Sequence, residues 1–141
     1  MKILICGSSF FRKNKVEVRD KLLSMGHEAI IDPWTVELAN DENPELWDEM
    51  QKEHAEAKKK YGFIKWYFDA IRDSDAILVC NYDKKGVGGY IGSNTLMEIA
   101  VAYDHDKKIY FLKEFDKGLY CYDEVASLDV SVVNKRLELI Q

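Results

Sequence analysis

Between Lys85 and Asp104 the chain carries a single charged side chain, Glu98, set among Leu96, Met97, Ile99 and Ala100. A carboxylate in apolar company loses hydration and needs a compensating contact or a chemical task. Two readings are open. Thr95-Leu96-Met97-Glu98 has the spacing of a capping box, in which the glutamate reaches back to the backbone N–H of the helix cap. Alternatively, Glu98 leans from the first turn of a helix into a ligand crevice, positioned by helix N–H groups and an apolar wall. A carboxylate held against a bound sugar can attack the anomeric carbon, forming a covalent glycosyl intermediate that splits one hard displacement into two. The departing base then needs a proton donor. Asp69, Asp75, Asp83 and Tyr67 are candidates. Asp75, beside a strand start, is expected at the wrong end of its sheet, and each aspartate is also readable as a cap or turn residue.

A second group of chemically useful residues follows the first apolar run. Gly7-Ser8-Ser9 offers an unhindered backbone and two hydroxyls, and Arg12 lies one turn on; together they can accept a phosphate. Ser8 or Ser9 can equally cap the first helix. The run lacks the spacing of a dinucleotide fingerprint or a P-loop. Beyond Cys80, Asn81 opens a glycine-rich loop that ends in Gly92-Ser93-Asn94, and these residues complete the expected binding set. His27, His54 and His105 are scattered, so neither a metal nor a cofactor is expected. Cys6, Cys80 and Cys121 lack metal-ligand spacing and read as buried, reduced thiols.

These residues need elements to hold them. Lys2 to Cys6 and Ala76 to Cys80 are apolar runs too short for helices, as buried parallel strands are. His27 to Ile31, closed by Asp32-Pro33, and Lys108 to Leu112 read as further strands, with Val130 to Val133 a candidate fifth. Val16, Val18, Leu22 and Leu23 follow helical spacing and Gly26 sits where a helix ends, so the first βαβ unit spans about thirty residues. Asn43-Pro44 is a helix start, and the charged run to Lys60 reads as a solvated helix, or else as a partner surface using Leu46, Trp47 and Met50. Phe63 to Arg72 and Ser93 to Tyr103 read as helices, and the glycine-rich segment between Asn81 and Gly92 as a mobile loop. The expected fold is α/β: a Rossmann-like or flavodoxin-like three-layer sandwich around a mostly parallel sheet of four to five strands. In such a sheet ligands bind beyond the carboxyl ends of the strands, after Cys6 and Cys80 here.

The whole chain sets bounds. Its 141 residues, 47% of them hydrophobic, suit one domain over residues 1–141, with a charged helical segment at about 43–62. A net charge of −5 argues against polymeric nucleic acid as partner. A free nucleotide stays open, because a helix N-terminus can hold one phosphate without a basic surface. The N-terminal apolar run is too short for a signal peptide and no segment is long enough to cross a bilayer. A soluble cytoplasmic protein without membrane contact is the expectation.

Three segments together resemble the nucleoside 2-deoxyribosyltransferase family, including its deoxynucleoside 5′-monophosphate N-glycosidases: Ile5-Cys6-Gly7-Ser8; Ser74-Asp75-Ala76-Ile77-Leu78-Val79; and Gly92-Ser93-Asn94-Thr95-Leu96-Met97-Glu98-Ile99-Ala100-Val101-Ala102-Tyr103 followed by Lys107-Lys108-Ile109. The resemblance implies that Glu98 is the nucleophile, that Ser8 and Ser93 line a phosphate or sugar pocket, and that the protein forms a homodimer. Where the family has an aspartate eight residues before the Asp75 position, this chain has Tyr67, and its acidic or hydroxyl residue six before the glutamate is Gly92. The expected function is therefore an N-glycosidase or deoxyribosyltransferase acting on a nucleoside or nucleoside 5′-monophosphate, with a nucleotide-binding or sensing domain without turnover as the alternative.

Overall fold

The computed structural model describes residues 1–141. The apolar runs become strands: β1 is Lys2–Cys6, β2 Glu28–Ile30, β3 Ala76–Val79, β4 Lys108–Phe111 and β5 Ser131–Val132. They pair in the order β2-β1-β3-β4-β5, all parallel. The connections run outward from β1 to β2, then from β3 through β4 to β5, so the order reverses between β1 and β3. That reversal opens the crevice at which sheets of this type bind ligands.

Helices cover both faces. They are α1 Arg12–Ser24, α2 Pro33–Ala39, α3 Pro44–Lys52, α4 His54–Tyr61, α5 Phe63–Arg72, α6 Ser93–Asp104 and α7 Tyr122–Ala126. Alternation along the strands sorts the core into two layers. Leu4, Cys6, Ile77 and Val79 pack with Ile71 of α5, Ile99 and Ala102 of α6 and Val125 of α7. Ile3, Ile5, Ala76 and Leu78 pack with Leu22 of α1 and the C-terminal Leu137 and Ile140. All three cysteines are buried and unpaired. Burial pushes the Cys6 thiol well up and that of Cys80 to about 12, so neither supplies a thiolate nucleophile.

Three sequence expectations are corrected. Asp32-Pro33 does more than close β2: Asp32 caps α2, its carboxylate accepting from the Thr35 N–H at 2.7 Å. The charged helix is two helices, broken at Glu53, and it is not a free solvated arm. Leu46 and Ala57 are buried, which docks α3 and α4 onto the body. Nor is the glycine-rich loop loose. Lys84 and Val87 exchange backbone hydrogen bonds of 3.1 and 3.0 Å, the Gly88 N–H donates to Asp116 at 2.8 Å, and the Gly89 N–H donates to Asp83 at 3.0 Å.

The junction of β1 and β3 is the tightest point. The Cys80 N–H donates to Cys6 O at 2.9 Å, and Gly7 turns away with φ +142°, where a Cβ would stand 2.9 Å from Cys80 O. Only glycine fits both the angle and the gap. Gly7→Ala is expected to lower stability by about 2 kcal/mol or more. Gly118→Ala, which meets nothing within 4 Å, should stay within about 0.5 kcal/mol of wild type. Urea denaturation of the two variants checks this; equal stabilities would contradict it.

Candidate active site

At the carboxyl ends of β1 and β3 lies a cavity of about 330 Å³. One side of it comes from Gly7, Ser8 and Ser9 after β1, and from Gly92 to Thr95 and Glu98 at the start of α6. Its walls and roof come from the helices between β2 and β3: Trp34 and Leu38 of α2, Trp47, Met50 and Gln51 of α3, His54 of α4, and Phe63 and Tyr67 of α5. These helices stand where they do for local reasons. Asn43 caps α3 through its side chain (Leu46 N–H, 3.1 Å) with Pro44 at the first helical position. Gly62, in the left-handed region at φ +66°, ends α4 and lets α5 start at once. Aromatic contacts then tie the roof together, with Trp34 edge-on to Phe63 at 4.8 Å and Tyr61 stacked on it at 5.3 Å. The charged stretch read as solvated is thus one side of the cavity, and His54 faces it.

Glu98 is 7% exposed and lines this cavity. No protein group donates a hydrogen bond to it. The capping-box reading is excluded by where the helix begins: the Leu96 N–H donates to Gly92 O at 2.9 Å, Gly92 is the cap, and Thr95 is already inside the first turn. Glu98 consequently belongs to the second turn, not the first. Burial pushes its carboxyl up to about 8, the nearby Lys15 ammonium pulls it back, and the Asp32 charge raises it further.

Around it stand three buried or half-buried polar groups, of which sequence reasoning singled out only Tyr67. Lys15, 2% exposed, donates from Nζ to Gly7 O at 3.1 Å and has no carboxylate within ion-pair distance. Asp32, 4% exposed, accepts from the Thr35 N–H and the Thr35 hydroxyl, each at 2.7 Å, and from the Tyr67 hydroxyl. Burial, with the Asp32 and Glu98 charges, raises the Tyr67 phenol well above its usual range, so it is a fixed donor to Asp32. The signals were present. Asp32-Pro33 repeats the cap-then-proline pattern of Asn43-Pro44, and Lys15 precedes Val18 and Leu22 at helical spacing on the buried side of α1. Of the other acid candidates, Asp69 pairs with Lys65 and Arg72 on the surface. Asp75 accepts from the Lys2 N–H at 2.7 Å at the amino ends of the strands, and exposed Asp83 pairs with Lys113. None of the three lines the cavity.

Groups suited to an anion gather at the mouth. The N–H groups of Ser93, Asn94 and Thr95, the first turn of α6, find no acceptor in the protein, and all three residues line the cavity. Ser8 is a cap, its Oγ accepting from the Phe10 N–H at 3.2 Å at the Ser9–Phe11 turn, and the residue also lines the cavity. Lys84 reaches the same oxygen at 3.2 Å. Its ammonium lies over the rings of Phe10 and Tyr90 at 5.0 and 5.4 Å and has no carboxylate partner. Two expected binding residues lie elsewhere. Arg12 stacks on Trp47 at 4.1 Å, outside the lining, and bolsters the roof. Asn81, fully buried, bridges the ends of β3 and β4 by donating to Lys113 O at 2.8 Å and accepting from the Lys113 N–H at 3.0 Å; its amide is spent on the backbone. No cluster of side chains suits a metal ion, and no helix is long and apolar enough to cross a membrane.

No protein-family model and no curated protein matches the chain. Among solved structures, Clostridium botulinum CMP N-glycosidase, BcmB, is similar over 98% of this chain and 93% of that one, at 16% identity and a TM-score of 0.46.

The raised Glu98 carboxyl links stability to pH. With its folded value near 8 against an ordinary 4.5, its contribution is fully present below about 4.5 and is lost as pH rises through 8. Glu98→Gln removes that dependence. At pH 9 the variant should be more stable than wild type by on the order of 4 kcal/mol, with the difference shrinking toward zero near pH 4.5. Urea denaturation across this range measures it; parallel pH profiles for the two proteins would contradict the burial of an ionisable, unpartnered carboxyl.

Proposed function

We propose that the protein cleaves the N-glycosidic bond of a small nucleoside 5′-monophosphate, with Glu98 as nucleophile, passing the sugar to water or to a second base. The observation that carries this reading is the carboxyl of Glu98: buried, without any protein partner, and opening on a cavity whose mouth holds free helix N–H groups and an unpaired lysine. Glu98 follows Ser93 by five positions on α6, about 7.5 Å along a helix, so a phosphate at the N-terminus and an anomeric carbon at Glu98 lie one pentose apart. The aromatic roof of Trp34, Trp47 and Phe63 offers flat apolar surface for the base. The same function is what the sequence resemblance implies.

In the reaction, a Glu98 oxygen bonds to C1′ as the bond from C1′ to the base nitrogen breaks. The electron pair leaves with the base, which takes up a proton from solvent, and the water that later displaces Glu98 returns one. Water, or another base, then displaces Glu98 and regenerates its carboxylate. Lys15 favours the ionised carboxylate that the first step needs, and the α6 N-terminus, Ser8 and Lys84 hold the phosphate. Binding without turnover is the second reading, favoured by Tyr67 standing where the resembled family has an aspartate. It predicts thermal stabilisation by nucleotides with no base released.

Chromatography of reactions with nucleosides and their 5′-monophosphates decides between them. Free base is expected from monophosphates, with loss of at least about 1,000-fold in Glu98→Gln. Lys84→Ala should raise KM for monophosphates roughly tenfold while leaving KM for nucleosides unchanged. Because attack needs the ionised form, kcat/KM should rise with pH to a midpoint near 8, the free-protein value. A fall through 8, or undiminished release by Glu98→Gln, would remove Glu98 as nucleophile.

A further inference from the structure

We infer that the trio of buried Lys15 and Asp32 and half-buried Tyr67 receives the 2′,3′-diol of a ribose, so that the site selects ribonucleotides over their 2′-deoxy counterparts. The inference rests on the proposed attack of Glu98 at C1′ and goes beyond it to name the sugar. In a natural nucleoside the base projects from one face of the furanose ring. A carboxylate that displaces it approaches from the opposite face, and that is the face from which the 2′- and 3′-hydroxyls of ribose project. Groups flanking Glu98 on the cavity wall therefore meet those hydroxyls. A site for deoxyribose would place apolar surface beneath C2′. Here the flanking groups are an ammonium, a carboxylate and a phenol, all lining the same cavity as Glu98.

Hydrogen-bond capacity fits a diol. Lys15 gives one N–H to Gly7 O at 3.1 Å and keeps two donors unused at 2% exposure. The Tyr67 hydroxyl spends its single proton on Asp32, which leaves its oxygen as an acceptor toward the cavity. Glu98 has no donor at all from the protein. A hydroxyl both donates and accepts, so two of them can satisfy the lysine on one side and Tyr67 and Glu98 on the other. Thr35 clamps Asp32 through two hydrogen bonds of 2.7 Å, so the phenol is held rather than free to swing away. Removing the 2′-hydroxyl leaves one of these buried groups unpaired. Sites built to hydrogen-bond a substrate hydroxyl discriminate strongly against the analogue that lacks it, whereas apolar pockets do not.

The test pairs ribo- and 2′-deoxyribonucleoside 5′-monophosphates carrying the same base, for adenine, guanine, cytosine and uracil. For wild type, kcat/KM for base release is compared within each pair; for Glu98→Gln, Kd is compared by calorimetry. A preference for the ribo member of roughly 100-fold or more in kcat/KM is expected, and it should collapse in Tyr67→Phe and Lys15→Met. If these residues only balance charge or hold the fold, both members of a pair lose equally and the ratio stands, which overturns the inference. Either variant that fails to fold leaves the other and the wild-type ratio to decide. Base release with equal rates, or a deoxyribo preference, overturns the inference while the proposed function survives. Ribo-selective binding with no release from any nucleotide keeps the diol site and ends the proposed function. No binding of any pair overturns both.

Discussion

A carboxyl that the protein buries but does not hydrogen-bond is expensive, and Glu98 is such a group. Desolvation drives it to hold its proton to about pH 8, with the attraction of Lys15 acting the other way and the Asp32 charge adding to the rise. Folding alone gives no reason for this arrangement, because a glutamine or leucine would fill the second turn of α6 at lower cost. The arrangement makes sense when something outside the protein completes it. Desolvation also strengthens every interaction the carboxylate makes once a ligand has displaced water, which is the condition under which a weak nucleophile becomes an effective one.

The rest of the structure serves to place that group. Parallel register sets the ends of β1 and β3 level, Cys6 opposite Val79, and the absence of a side chain at Gly7 lets the chain turn against Cys80 without filling the crevice. The peptide oxygen of Gly7 in turn anchors Lys15. Asn81 ties β3 to β4 behind the site, and the pinned glycine-rich loop delivers the uncapped start of α6. Starting the helix at Ser93 rather than three residues later puts the free N–H groups at the mouth and Glu98 one turn deeper. One helix thus presents both the free N–H groups and Glu98 to the same cavity. Between β2 and β3 the four consecutive helices α2 to α5 fold over as a roof, and Arg12 stacked on Trp47 braces it.

Much of this was legible in the residues. The strands of the core are short apolar runs that cannot be helices, and their number, order class and direction follow from alternation with helices. Glu98 stood out as the one charge in an apolar stretch. What the chain did not reveal is what depends on contacts distant in sequence. Asn81 and Arg12 have the right chemistry to bind ligand, but a backbone peptide and an indole ring reach them first. Glu45, Glu56 and the Lys58-Lys59-Lys60 cluster made the α3–α4 segment look wholly solvated, though one buried residue on each helix, Leu46 and Ala57, was enough to dock it. Lys15 was hidden by its type, since a lysine on a helix is ordinarily outside; only the packing of α1 against the sheet shows that its stem is buried and its ammonium faces the cavity.

The most direct test of Glu98 as nucleophile is to quench a single turnover of a nucleoside 5′-monophosphate in acid and map the peptides by mass spectrometry. A transient sugar phosphate adduct is expected on the peptide containing Glu98, appearing as base is released, decaying as sugar phosphate forms, and absent from Glu98→Gln. Base release with no adduct at any quench time, or an adduct on another residue, would contradict it.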